Sequence, residues 1–537
     1  MPRKNLVTAV GALLAATGLA VVPLTTTAAA APSGPATAVA APATYKAAPI
    51  AWGRCKDRDL REAKAKCGTL TVPIDHAAPN GPTIDLAVSR ILHTKSPYRG
   101  AVFTNPGGPG GPGLQYSRLG GAIPHGVGKT YDWYGLDTRG VGASKPKLGC
   151  DDNYFPFKRE SYHPDTTEIL NYWLARSDKY AADCAASATA SLLGHMKTTD
   201  IVADFEALRV AIGQSQVTFY GFSYGTYIAT VWATLHPTSI KAMVLDGVVN
   251  PTRVWYAANL DQDYAFGKVY DKFFAWIAKY NGVYHLGRTA KQVEKALARQ
   301  EKRLERKPAG KLGPAEFEDA LISAGYINLA WPDVAQAMSD LVNDRDPRGA
   351  LALFRGSYPT NTDNNIGYLA TTCTDAAWPK DWNVWATDNA AADKASPFFA
   401  WMNAWFNAPC RSWPVAAGTP TTVSGAGYTG PVLLVNETFD AATPFSGALA
   451  VRSLFPTSSL IEGKGGTTHS ASLSGVTCVD DAIAKLLKKG ALPTRKSGNA
   501  ADKKCPGLAA PVLGQDDADR SAARVSPRIL PRLALLG

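Results

Sequence analysis

The pentapeptide Gly221-Phe222-Ser223-Tyr224-Gly225 constrains this chain more than any other stretch, because of what flanks it. The apolar run Val217-Thr218-Phe219-Tyr220 leads in with strand character, and Tyr227-Ile228-Ala229-Thr230-Val231-Trp232 leads out as a helix. A strand that becomes a helix within one residue forces a strained backbone on Ser223. Glycine on both sides removes the side chains that would otherwise clash. The serine hydroxyl is therefore expected above the end of a sheet, at a helix N-terminus, as a candidate nucleophile.

A hydroxyl nucleophile needs a base, an orienting acid and donors for the oxyanion, and behind an elbow of this kind the chain order is Ser, then Asp or Glu, then His. Pro431-Val432-Leu433-Leu434-Val435-Asn436 reads as a short buried strand, and the loop Glu437 to Pro444 after it supplies Asp440 as the candidate acid. Leu460-Ile461 then leads to the glycine-rich loop Gly463 to Ser470, which supplies His469 as the candidate base. The other two histidines after Ser223 are His236, in the elbow helix, and His285, in an inserted segment; neither fits the terminal loop. Asp246, closing the strand Met243-Val244-Leu245, is a rival acid. Asp440 is preferred because its loop directly precedes the His469 strand, and Asp246 is read as a turn residue before Gly247. For the oxyanion, the Tyr224 amide is one expected donor and Gly108, in the loop Asn105 to Gly113 behind the strand Ala101-Val102-Phe103-Thr104, is the other. A phosphate-cradling loop is disfavoured there, since the Lys-Ser/Thr pair is missing.

Three motifs together carry a family resemblance: the Gly-Gly-Pro-Gly loop, the elbow from Tyr220 to Tyr227, and Asp137-Thr138-Arg139-Gly140-Val141-Gly142-Ala143-Ser144. At these separations the chain resembles prolyl-aminopeptidase-type serine peptidases, and more narrowly the secreted bacterial tripeptidyl aminopeptidases, over roughly residues 50 to 507. Pro106 stands where these relatives usually carry His before Gly-Gly, a departure the tripeptidyl branch shares, and Thr468 and Ser470 replace the usual glycine around the catalytic histidine. Elbow and resemblance imply an α/β-hydrolase core with a mostly parallel sheet. The resemblance also implies acyl-enzyme chemistry and release of short peptides, tripeptides in particular, from free N-termini of peptides and proteins. A secreted carboxylesterase or lipase with the same triad is the alternative.

Asp440 follows Ser223 by 217 residues, far more than two or three βα units need, so residues 251–424 are expected to form a large, mainly helical cap. Helical patterns run from Tyr264 to Tyr280, Val293 to Arg306, Glu316 to Ile322 and Val334 to Val342, with Pro308, Pro314 and Pro332 as punctuation. The core then comprises residues 49–250 and 425–508. An aminopeptidase must hold a free ammonium near its nucleophile, and Glu437 and Asp375 are the candidates; loop-capping and helix-capping roles are the other readings of the same two residues. Trp255, Tyr256, Trp378, Trp401, Trp405 and Phe406 could line apolar subsites, although most such aromatics belong to a cap core.

Arg3 and Lys4 before the apolar segment Leu6 to Leu24, followed by small residues, read as a signal peptide over residues 1–31. Residues 32–48 read as a linker or propeptide and residues 509–537 as a mobile tail. Gly11, Gly18 and Pro23 interrupt the apolar core and no stop-transfer charges follow, so no integral membrane segment is expected after processing and the protein is expected to be secreted. No cysteine precedes Cys55 to carry a lipid. Eight cysteines permit 105 complete pairings; loop shortness and the resemblance rank Cys55–Cys67, Cys150–Cys184, Cys373–Cys410 and Cys478–Cys505 first.

The formal net charge is +11, which loss of Arg3 and Lys4 lowers by two. Acidic and basic residues interleave from Lys291 to Lys307, so this is a solvated face and no nucleic-acid partner is expected. The remaining positive charge is compatible with weak association with an anionic cell wall. No His-Glu-X-X-His or other ligand spacing occurs, so neither a metal nor another cofactor is expected.

Overall fold

The computed structural model describes residue 45 and residues 47–151, 153–356 and 362–514. The segment read as a signal peptide, most of the segment read as a linker or propeptide, and the residues beyond 514 lie outside the described residues. Among those described, ten strands form one sheet: β1 (Gly53–Arg54), β2 (Lys66–Pro73), β3 (Thr83–Ile91), β4 (Ala101–Asn105), β5 (Asp132–Leu136), β6 (Val217–Phe222), β7 (Ile240–Asp246), β8 (Val432–Glu437), β9 (Ser458–Lys464) and β10 (Lys503–Pro506). Their spatial order is β1-β2-β3-β5-β4-β6-β7-β8-β9-β10. The first three strands and the β3–β5 pair are antiparallel, and every pairing from β5 through β4 to β10 is parallel.

The central strands are buried on both faces, as parallel strands under helices must be. On β6, Val217 and Phe219 enter one core while Tyr220 and Phe222 enter the opposite one. β8 divides in the same way, with Val432 and Leu434 on one side and Leu433 and Val435 on the other. This alternation fixes the register, because a one-residue slip would send each side chain to the wrong layer. The elbow helix Tyr224–Leu235 is buried along nearly its whole length, which suits its apolar sequence.

The insertion is helical, as expected: Tyr256–Lys279, Ala290–Arg306, Pro314–Tyr326, Trp331–Ser339, Arg348–Gly356, Thr362–Asp375, Trp382–Asp393 and Ala400–Asn407. Pro314 occupies a first-turn position, where its missing N–H costs nothing. The cap has its own apolar core, and that core recruits residues the sequence assigned to the first core segment. Tyr162 and Trp173, from before the elbow, pack among the cap side chains; Trp173 stacks on Trp405 with ring centroids 5.7 Å apart. Buried Arg159 is paired with Asp319 and lies 3.7 Å from Glu316, both on the helix Pro314–Tyr326. Residues 154–173 therefore serve the cap as well, through aromatic and ionic contacts that no local pattern announces.

The first residues of the segment read as a tail make contacts with the cap. Residues up to 514 are held, with Trp276 donating to the Pro511 carbonyl (2.9 Å) and Leu513 packed against the cap core. The four disulfides join Cys55 to Cys67, Cys150 to Cys184, Cys373 to Cys410 and Cys478 to Cys505, with Cα separations of 4.9, 4.4, 4.9 and 5.7 Å. Such bonds persist in oxidising compartments. No helix among the described residues is long and apolar enough to cross a membrane.

Replacing Arg159 by Met would leave Asp319 and Glu316 buried without their cation. The expected cost is about 3–5 kcal/mol of cap stability, read as faster hydrogen exchange in the helix Pro314–Tyr326 while β6 and β7 stay protected.

Candidate active site

Ser223 sits between β6 and the elbow helix with φ 52° and ψ −125°, a left-handed backbone rare for a serine. The turn closes because a Cβ on Gly221 would lie 2.5 Å from the Gly225 carbonyl oxygen, and one on Gly225 would lie 2.7 Å from the Asn105 carbonyl oxygen. Gly107 packs behind the elbow just as tightly: an added Cβ would meet the Phe222 oxygen at 2.6 Å and the Ser223 Cβ at 2.7 Å. The Ser223 amide donates to the Asp246 carbonyl (2.9 Å), and the Thr226 amide and hydroxyl donate to the Ser223 carbonyl at 2.8 and 2.6 Å. Among the described residues, the Ser223 hydroxyl oxygen itself has no hydrogen-bond partner.

Asp440 and His469 are in contact. His469 Nδ1 lies 2.9 Å from both carboxylate oxygens of Asp440, in a fully buried contact. Thr443, which the sequence reading missed, completes the corner: its amide and hydroxyl each donate to Asp440 at 2.9 Å, and the hydroxyl lies 3.2 Å from His469 Nδ1. An Asp followed three residues later by Thr is the available signal for such a turn.

The rival acid Asp246 does not touch the imidazole. Its carboxylate accepts from the Ser472 amide (2.8 Å), and its carbonyl accepts from the Ser470 hydroxyl (3.3 Å) as well as from the Ser223 amide. Elbow and histidine loop are thus fastened to one residue at the end of β7. Burial pushes the Asp246 carboxyl up to about 6, against the lowering effect of its Ser472 bonds. For His469, burial alone would lower the pKa. The Asp440 charge and hydrogen bond, with the Asp246 charge behind them, outweigh it and raise the value above 6.5.

Gly108, Ser223 and Tyr224 line one cleft together with Trp255, Asn259 and Thr443. The Gly107 amide is taken by the Asn105 side chain (2.9 Å), whereas the Gly108 amide has no partner among the described residues. Tyr224 opens its helix, where backbone N–H groups lack intrahelical acceptors. Both residues expected to supply oxyanion donors therefore line the serine's cleft.

The two expected ammonium anchors do not line it. Glu437 is buried, with its two oxygens accepting the amides of Thr468 and Leu508, each at 2.5 Å. Asp375 accepts the Thr198 amide (2.6 Å) at a helix N-terminus, the Thr198 hydroxyl (2.5 Å) and the Trp255 indole (3.2 Å). Each takes the capping role the sequence left open for it. Asp375 reaches the site indirectly, because Thr198 also bonds the Tyr224 hydroxyl (2.7 Å). Of the cap aromatics, Trp255 lines the cleft, whereas Trp401 and Trp405 lie in the cap core.

An elbow serine, an aspartate-bound histidine and open amides at the carboxyl ends of parallel strands define a serine hydrolase. Residues 100–462 match the alpha/beta hydrolase fold family, and the chain belongs to that family, in its tripeptidyl aminopeptidase-like branch of serine peptidases. It is 36% identical to a tripeptidyl aminopeptidase of Streptomyces coelicolor over 83% of this chain and 85% of that one. Serine protease Hip1 of Mycobacterium tuberculosis is 28% identical over 83% of this chain and 90% of its own, and carboxylesterase B of the same organism is 28% identical over 82% and 88%.

A base must be neutral to accept a proton, and His469 titrates above its ordinary value. The acid limb of kcat/KM is accordingly expected above pH 6.5, and Asp440→Asn should lower both kcat and the pH of that limb. Glu437→Ala strips two amides of their acceptor beside His469. Steady-state kinetics should show a fall in kcat of about tenfold or more, with no selective rise in KM for substrates bearing a free amine.

Proposed function

We propose that this protein is a secreted serine exopeptidase that releases short peptides, tripeptides foremost, from the free N-termini of peptides and proteins. The observation that carries this reading is the Asp440–His469 contact at 2.9 Å, in a loop fastened to the same Asp246 carbonyl that holds the Ser223 elbow. In the proposed reaction Ser223 Oγ attacks the scissile carbonyl while His469 Nε2 takes its proton. Asp440 holds the opposite ring nitrogen and balances the imidazolium. The Gly108 and Tyr224 amides stabilise the oxyanion. The proton then passes to the leaving amine, and a water activated by His469 hydrolyses the acyl-enzyme.

Tripeptide release is supported by the 36% identity to a relative bearing that name. Export is supported by four disulfides and by the apolar amino-terminal segment behind Arg3 and Lys4; once outside, a basic chain is drawn weakly to an anionic wall. Recognition of the substrate ammonium falls to Asp261, the acidic residue lining the serine's cleft. Asp261 is paired with Arg253, and the pair is partly exposed, so an arriving ammonium competes with a guanidinium that solvent can also stabilise. A second reading, ester hydrolysis, draws support from the carboxylesterase relative.

A tripeptide nitroanilide with free N-terminus is expected to turn over at least tenfold faster than its acetylated form and than a nitrophenyl acyl ester matched in length. Indifference to acetylation would leave the esterase reading in its place. Ser223→Ala should abolish fluorophosphonate labelling and lower kcat by about 10³-fold or more, and Asp261→Asn should raise KM for the free-amine substrate while leaving the acetylated one unchanged.

A further inference from the structure

Away from the serine cleft, the cap buries a group of ionisable side chains that the proposed chemistry does not use. His163, Glu301 and Glu318 each direct one ligating atom into a common space, with all three atoms within 4.8 Å of one another. His163 comes from the segment before the elbow, Glu301 from the helix Ala290–Arg306 and Glu318 from the helix Pro314–Tyr326. Asp393, closing the helix Trp382–Asp393, has an oxygen 3.7 Å from His163 Nδ1, and Glu301 Oε1 is 3.8 Å from His163 Nε2.

These are not carboxylates satisfied by neighbouring donors. Glu318 is wholly inaccessible, and neither of its oxygens has a hydrogen-bond partner among the described residues; Glu301 Oε1 and Asp393 Oδ1 are buried and unpartnered as well. Arg159, the guanidinium packed against the helix that carries Glu318, is engaged with Asp319, Glu316 and Tyr162. A buried carboxylate with neither donor nor counter-charge is among the most costly arrangements in a protein interior.

Two things can discharge such a cluster: a proton held between Glu301 and Glu318, or a cation. We propose that His163, Glu301 and Glu318, with Asp393 in reach, form a structural site for a first-row divalent cation of the zinc class within the cap. An imidazole beside carboxylates suits zinc and its neighbours, whereas calcium and magnesium prefer oxygen alone. His163 Nε2 lies 3.0 Å from the Pro397 carbonyl and 3.8 Å from Glu301, and Nδ1 lies 3.7 Å from Asp393, so either ring nitrogen has a carboxylate within reach.

The consequence is mechanical. The helix that carries Glu318 ends at Tyr326, whose carbonyl accepts the His469 amide at 2.8 Å. A cation that clamps this helix to its neighbour and to the His163 segment would stiffen the support of the base without entering the reaction.

The test uses the full-length, tag-free protein, stripped with chelator and titrated with zinc against a chromophoric zinc indicator, with thermal unfolding followed in parallel. One zinc per chain is expected with a Kd of micromolar or below, together with a Tm that rises with zinc concentration. Glu318→Gln and His163→Gln should each lose that equivalent and the zinc-dependent rise in Tm, while Ser223 still reacts with a fluorophosphonate. Labelling shows that a variant has folded, and having two variants guards against one that has not. The proposal is overturned if wild type binds no zinc and its Tm follows pH alone, as a proton-sharing pair requires. It is equally overturned if the variants bind as wild type does, or if calcium binds in zinc's place.

Discussion

The site depends first on a backbone conformation. Ser223 occupies a region that costs a non-glycine residue about 1–3 kcal/mol, and such strain persists only where the surroundings over-determine it. Here they do so from three directions. The Asp246 carbonyl holds the serine amide, Thr226 holds its carbonyl twice, and Gly107 fills the space behind it to van der Waals contact. Because Asp246 also receives Ser470 and Ser472, the residue that fixes the nucleophile anchors the loop of the base. Tyr220, on the elbow strand, adds a second tie through the Ser472 hydroxyl at 2.7 Å. Serine and histidine loops are thereby referenced to β7 and do not wander independently.

The cap is more than a lid over this arrangement. Its helix Pro314–Tyr326 holds the His469 amide, the Tyr326 ring stands edge-on to the imidazole with centroids 5.8 Å apart, and Ala441, next to the triad acid, packs into the cap core. Lys272 lies 3.7 Å from the centre of the Phe439 ring, so the acid loop is gripped from the cap side as well. A base held by sheet and cap together requires both bodies to be folded before the imidazole is aligned. An insertion between β7 and β8 can in this way influence the chemistry at strand ends that it does not supply.

What was legible in the chain was local or ordered. The elbow could be read because strand, serine and helix lie within about sixteen residues, and because glycine at 221 and 225 has a steric cause. Asp440 and His469 followed from the order of elements after it, and the two side chains lie in contact. The roles of Glu437 and Asp375 were not legible, since a carboxylate beside a catalytic loop can point into the cleft or back at backbone amides, and only tertiary packing chooses. The same limit hid the docking of Tyr162 and Trp173 into the cap, where aromatic stacking across more than two hundred residues leaves no periodic trace. It also hid the His163–Glu301–Glu318 group, whose members share no spacing motif.

The retention of Glu437 so close to the histidine has an electrostatic rationale. Asp440 is the carboxylate in contact with the imidazole, and a second full charge nearby would oppose its ionisation and over-stabilise the imidazolium. Burial pushes the Glu437 carboxyl up to about 8, against the lowering effect of the Leu508 and Thr468 amides, which weakens its charge near neutral pH. Those two amides, one on each oxygen, brace the loop. Here one carboxyl orients the base and the other shapes the loop that carries it.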